Sequence, residues 1–212
     1  MQPMASASLL HPPTTPLPPH RTLEHQLAHW RRQRGDLWVF GYASLIWRPG
    51  FAYAERRPAT VHGWHRALKM WSRVNRGTPD CPGLVFAMLP GGSCRGMAYR
   101  IERAQADDVL QQLWQREMPL PVYDPRWLAC QTAQGSVQAL AFTLSRSSPS
   151  HTGVLRDDDL RRIFGQANGI YGSTRDYAEA THAELERIGI HDRALQRVIA
   201  ATRPTNKENS QP

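Results

Sequence analysis

The sequence predicts an α+β fold, a mostly antiparallel sheet curled or closed into a small barrel with helices flanking it. Three observations predict it. Apolar and aromatic runs of strand length dominate residues 37–144. Segments of helical period interrupt and follow those runs. The chain has 212 residues, 41% of them hydrophobic, enough for one domain whose core needs neither disulfides nor a structural metal.

Taken in order, residues 1–21 are rich in Pro, Ser, Thr and His and are expected to be disordered. Residues 22–34 fit a short helix, with Leu23, Leu27 and Trp30 on one face and Gly35 ending it. Residues 37–42 form a continuous apolar run typical of a buried strand, and 59–72 alternate imperfectly over a second. Residues 83–89 make a third strand. Pro90-Gly91-Gly92-Ser93 then reads as a turn, with 96–101 returning as the hairpin partner. Strands are expected at 126–133 and 137–144, on either side of Gln134-Gly135. Helices are expected at 104–117, 156–164, 174–188 and 192–201. The resulting division is a Pro-rich start and short helix (1–34), one folded domain (35–203) and a polar, disordered tail (204–212).

Composition narrows the function classes. No apolar run approaches the ~18 residues of a membrane span, so no membrane partner is expected. The start lacks the apolar core of a secretory signal, and Cys81, Cys94 and Cys130 are an odd number without metal-ligand spacing. Both features point to a reducing, cytoplasmic setting. The net charge is +8, and since Lys69 and Lys207 are the only lysines, arginine carries nearly all of the positive charge. These arginines are scattered singly or in doublets, without the long basic run of a nucleic-acid arm, so no nucleic-acid partner is expected. An acidic small molecule suits them.

Two places carry candidate chemistry. Gly41-Tyr42-Ala43-Ser44-Leu45 follows the first buried strand, where backbone N–H groups of small residues can converge on an anion or a polarised carbonyl. A plain turn has the same composition, and the loop alone does not separate the two. Pro119 disfavours helical backbone at Met118, so Glu117 falls in the last turn of its helix. A carboxylate there faces the negative end of the helix dipole. That repulsion, with burial beside Trp114, raises a carboxyl pKa toward the range of a general base, whereas a solvated Glu would merely tolerate the mismatch.

Several segments in order resemble one family. Trp38-Val39-Phe40-Gly41-Tyr42-Ala43-Ser44-Leu45-Ile46-Trp47 is similar to the opening WVFGYGSLIW of the ChaC family, the glutathione-specific γ-glutamylcyclotransferases. His62-Gly63-Trp64-His65-Arg66 resembles its GWHR segment, and Arg95-Gly96-Met97-Ala98-Tyr99-Arg100 its GVAYR strand. Leu113-Trp114-Gln115-Arg116-Glu117-Met118 resembles the WxREM stretch of bacterial members. The segment from Gly169 to Tyr177 resembles a later GPxGxNxxYL segment. The resemblance implies a small antiparallel barrel with flanking helices. It also implies cleavage of glutathione, a small-molecule substrate, to 5-oxoproline and cysteinylglycine without a cofactor. On matching positions it implies a γ-glutamyl-binding loop of Val39, Phe40, Gly41, Tyr42, Ala43 and Ser44, Glu117 as acid/base, and a supporting role for Tyr177. The chain departs from the pattern at Ala43, where the family has Gly and where a need for positive φ would strain an alanine. It departs again at Thr174, where the family has Asn, and at Tyr171 and Ser173.

Other constellations read more simply as structure. His62 and His65 have HxxH spacing, but on a strand they face opposite ways with no acid nearby, so no metal is expected. Asp157-Asp158-Asp159 reads as helix N-terminal charge, and Cys81 has no readable His/Asp partners. Two alternatives to glutathione cleavage stay open at this point. One is cyclisation of other γ-glutamyl amides or peptides, and the other a non-catalytic γ-glutamyl-binding barrel.

Overall fold

The computed structural model describes residues 17–203. The strands β1 (Leu37–Gly41), β2 (Glu55–Ser72), β3 (Gly83–Ile101), β4 (Asp124–Thr132) and β5 (Gly135–Thr143) close into a barrel in the order β1-β3-β2-β4-β5. Leu37, Val39 and Phe40 of β1 are all fully buried. A strand covered on both faces reads as an unbroken apolar run, which is why β1 shows no alternation.

The barrel is mixed rather than wholly antiparallel. β1–β3, β3–β2, β2–β4 and β4–β5 are antiparallel, but β1 and β5 meet in parallel at Val39 and Leu140. Parity requires this. Strand direction alternates around the ring, and with an odd number of strands the last must run the same way as the first.

The expected hairpin at Pro90-Gly91-Gly92-Ser93 is not formed, and β3 passes straight through it. Its two halves do not pair with each other, because β2 pairs with both, from Glu55↔Arg100 to Ser72↔Gly83. The register jumps from His62↔Ser93 to Trp64↔Pro90, setting Gly63 against Gly91 and Gly92. All three glycines have positive φ (80°, 101° and 72°). They bend both strands at one level, a bulge that re-aims a long pair without ending it. β2 also starts earlier than expected. Its first residues, Glu55-Arg56-Arg57-Pro58, have no apolar period, and Glu55 is instead bonded by Arg57 and Arg100.

The helices are α1 (Leu23–Arg31), α2 (Ser44–Trp47), α3 (Ala106–Glu117), α4 (Asp157–Gln166), α5 (Thr174–Arg187) and α6 (Arg193–Ala201). The single turn α2 was not expected, since four residues are too few to show a period. A small ribbon, β6 (Asn168–Gly169) and β7 (Gly172–Ser173), leads into α5. Ser173 caps that helix through Asp176 N–H, with Asp176 returning the bond in a capping box. Thr174 is fully buried and accepts from Leu84 N–H at 2.9 Å, so this departure from the family pattern fixes α5 to β3.

Residues 1–16 and 204–212, the bulk of the start and tail expected to be disordered, lie outside the described residues. The end of that start is ordered. Pro19–Arg21 form a 3₁₀ turn, and Arg21 donates to Tyr123 O at 3.0 Å and to Pro121 O at 2.6 Å. α1 follows as part of the core. Trp30 is 2% exposed, and the Trp127 indole donates to Gln26 Oε1 at 2.7 Å. Trp30→Ala is expected to lose about 3–5 kcal/mol, the usual cost of emptying a buried aromatic site. A urea unfolding midpoint checks it, and a parent-like midpoint would show that α1 only rests on the barrel.

Candidate active site

β1 ends at Gly41, and the chain folds back sharply into α2. A Cβ on Gly41 would stand 3.0 Å from Leu45 Cβ and 3.2 Å from the Tyr99 ring, so only glycine lets the turn lie this close to the strand. Tyr42 is buried and donates its hydroxyl to Phe142 O at 2.9 Å, tying the loop to β5. Ala43 has φ −142° and lies outside the left-handed region, so alanine is accommodated in place of the family glycine. Among the described residues, no backbone carbonyl or side chain accepts from the N–H groups of Ala43, Ser44 or Leu45. They are the orphan donors expected where a helical turn begins.

Glu117 is the last residue of α3, as Pro119 predicts. Its side chain is only 16% exposed, and Oε1 lies 3.1 Å from Arg116 Nε. Burial raises its pKa above the ordinary carboxylate value, and the Arg116 charge and hydrogen bond oppose that rise without cancelling it. The arginine does more than neutralise. Its Nη1 donates to Arg48 O at 2.6 Å and Pro49 O at 2.9 Å, and its Nη2 donates to Ser44 Oγ at 3.2 Å. One guanidinium therefore joins the end of α3 to both ends of α2.

Glu117, Tyr42, Ala43 and Ser44 meet Leu45, Phe86, Tyr123, Phe142 and Tyr177 around a narrow cleft whose cavity volume is about 30 Å³. The phenols of Tyr42, Tyr123 and Tyr177 are all pushed up, by burial first and partly by the neighbouring Glu117. At neutral pH they stay protonated, which leaves the carboxyl as the cleft's own acid/base group. Arg76 stacks on the Tyr177 ring at 4.9 Å and donates to Tyr171 O. Among the described residues it has no carboxylate within ion-pair distance.

Of the residues anticipated from sequence, Tyr42, Ala43, Ser44, Glu117 and Tyr177 line the cleft. Val39, Phe40 and Gly41 do not, since they lie in the strand beneath, where Val39 and Phe40 are fully buried core. Sequence reasoning missed Tyr123, Phe86 and Phe142. Phe86 and Phe142 share the apolar pattern of their core strands. Tyr123 sits in the irregular stretch after Pro119, which offers no period to read. Only its tether to Arg21 and the approach of β4 bring it to the cleft. His65 binds Gly91 O at 2.8 Å through Nδ1, and among the described residues no three metal-ligating side chains converge.

Comparisons with known proteins place the chain in a family and agree with its fold. The family described as ChaC-like protein matches residues 37–204. The glutathione-specific γ-glutamylcyclotransferase of Escherichia coli K12 is 31% identical over 180 residues, 84% of this chain and 78% of that protein. The human glutathione-specific γ-glutamylcyclotransferase 1 is 30% identical over 158 residues, 71% of each chain. In fold, the chain resembles the crystal structure of a γ-glutamyl cyclotransferase specific to glutathione from yeast, with TM-score 0.72 and 20% identity over 80% of this chain and 96% of that one. The match to the family model spans nearly all of the barrel and its flanking helices, and the chain belongs to the ChaC-like protein family.

Proposed function

We propose that this chain is a glutathione-specific γ-glutamylcyclotransferase, releasing 5-oxoproline and cysteinylglycine from glutathione. The observation that supports the reading is that the buried Glu117 carboxyl lines one cleft with Ala43, Ser44 and Leu45, whose N–H groups have no acceptor among the described residues.

The reaction is intramolecular, and each obstacle in it has a matching group. The α-amine of the γ-glutamyl unit attacks that unit's own amide carbonyl carbon, and closing a five-membered ring supplies the proximity. The amine arrives mostly protonated. Ionised Glu117 takes a proton from it, freeing the lone pair, and the raised pKa keeps the proton available for return. As the new C–N bond forms, the carbonyl oxygen gains charge and the N–H groups of Ala43, Ser44 and Leu45 stabilise it. The oxygen then re-forms its double bond, the scissile C–N bond breaks as Glu117 hands its proton to the departing nitrogen, and the carboxylate takes the second proton from the ring nitrogen and passes it to the released amine, leaving a neutral lactam and an ammonium. Tyr42, Tyr123 and Tyr177, held neutral, serve as hydrogen-bonding walls for the γ-glutamyl unit. Val39, Phe40 and Gly41 support the loop from below. We assign Arg76, a cation beside Tyr177 with no ion-pair partner among the described residues, to the substrate's terminal carboxylate. No helix is long and apolar enough to cross a membrane among the described residues. The free thiols of Cys81, Cys94 and Cys130 suit the cytoplasm, where we place the enzyme.

Glu117→Gln is expected to abolish 5-oxoproline release from glutathione while leaving the circular dichroism spectrum unchanged. Full turnover in that variant would end the assignment. A carboxyl with a raised folded-state pKa costs stability once pH rises above its ordinary 4.5, because only the unfolded chain ionises freely there. The same variant should therefore melt no lower than the parent at pH 7, and any gain should disappear in acid. In the parent, kcat/KM should fall with acidity along a limb whose midpoint lies above 4.5, since the base form is lost as pH drops through the raised pKa. Arg76→Gln should raise KM for glutathione about tenfold, the scale of one charge-assisted hydrogen bond. It should leave KM for the glycine ethyl ester of glutathione unchanged. An equal change for both substrates would place that carboxylate elsewhere.

A further inference from the structure

Arg66 lies outside the cleft, yet it is bonded to the loop that lines it. Its side chain is 5% exposed and that of Asp192 is 14% exposed. Nε and Nη2 donate to Asp192 Oδ2 at 2.9 and 2.8 Å, and Nη1 donates to Tyr42 O at 2.8 Å and Arg95 O at 3.0 Å. Asp192 is itself fixed, because its Oδ1 accepts from Leu195 N–H at 3.0 Å as the N-cap of α6. We infer that Arg66, anchored by Asp192, is a positioning residue that holds the Tyr42–Ala43 peptide with its N–H toward the reacting carbonyl.

The geometry follows from peptide planarity. In a trans peptide the C=O and the following N–H point in opposite directions, and no cis bond occurs among the described residues. The Tyr42 carbonyl is directed at Arg66, which lies outside the cleft, so the Ala43 N–H is directed away from Arg66, and Tyr42 and Ala43 both border the cleft. That N–H has no acceptor among the described residues. The opposite orientation needs only a flip of this one peptide, and it would present a carbonyl oxygen to the developing oxyanion, a repulsion in place of a hydrogen bond. The Arg66 fork, neutralised by Asp192, makes that flip cost a buried charge-assisted bond. A lysine cannot reproduce the arrangement, since its ammonium lacks the planar set of donors that spans Asp192, Tyr42 and Arg95 together.

The inference rests on the loop acting as the oxyanion donor in the proposed reaction, and it deepens that reading. A donor used only in the transition state affects kcat and not ground-state affinity. The test uses the full chain with Arg66→Lys and, separately, Asp192→Asn, which keeps a good N-cap residue for α6. Expected are a fall in kcat on glutathione of about tenfold to a hundredfold, KM within about twofold, and an unmoved acid limb, since Glu117 is untouched. A second readout does not depend on turnover. The ¹⁵N–¹H resonance of Ala43 should shift when 5-oxoproline is added to the parent and should stay still in Arg66→Lys. Should that variant fail to fold, Asp192→Asn carries both readouts. Parent-like kcat in a folded variant, or an Ala43 amide that responds equally in variant and parent, would overturn the inference. A parent that releases no 5-oxoproline would defeat the proposed function alone, and the Ala43 resonance would still decide the orientation.

Discussion

Closing the barrel and delivering the loop are one event in this protein, because β1 performs both. This short strand pairs with β3 on one side and β5 on the other, and the parallel contact of Val39 with Leu140 seals the ring. Whatever follows β1 emerges at a fixed height beside β5. The Tyr42 hydroxyl uses that placement to reach Phe142 O, and Gly41 lets the chain turn back without leaving the strand. A slip of one residue in β1 would bury the wrong side chains and carry the loop with them.

Around this fixed loop, charge is arranged so that one carboxyl is under-compensated. Arg116 meets Glu117 but divides its donors among Ser44, Arg48 and Pro49, so burial still outweighs the ion pair and the pKa stays raised. A carboxylate in a full bidentate pair would be driven the other way, as Glu55 is by Arg57 and Arg100 at the exposed end of the barrel. The two glutamates differ in environment, and only the one at the cleft suits proton transfer. Gly50 belongs to the same device, since a Cβ there would meet Arg116 Nη1 at 2.8 Å.

Much of the fold was legible from local pattern. The long helices and the β4–β5 hairpin follow apolar period and turn chemistry, which act over a few residues. The passage from Pro90 to Ser93 was misread because two glycines with positive φ serve a bulge as well as a turn, and only the partner strand distinguishes them. The short turn α2 and the ordered segment from Pro19 to Arg21 were invisible for a related reason. Their order comes from distant contacts, such as that between Arg21 and the carbonyls of Pro121 and Tyr123. For the site, Glu117 and the Tyr42–Ser44 loop were readable from Pro119 and from the small residues after a buried run. Val39 and Phe40 belonged to the same sequence segment but not to the cleft, because both faces of this strand are covered there and the two side chains are fully buried.

The sequence alone determined the classes of element, the position of a glutamate at a helix end against the dipole, and a glycine-led loop after a buried strand. These depend on backbone preferences and on residue type at close spacing. Tertiary structure decided which elements meet. Phe86, Tyr123 and Phe142 became cleft walls, Arg116 was divided among Glu117, Ser44, Arg48 and Pro49, and Arg66 with Asp192 was set behind the loop. Such contacts join residues as far apart in the chain as Arg66 and Asp192. No local rule reports them, because their free energy is released only when the barrel closes and excludes water from both partners.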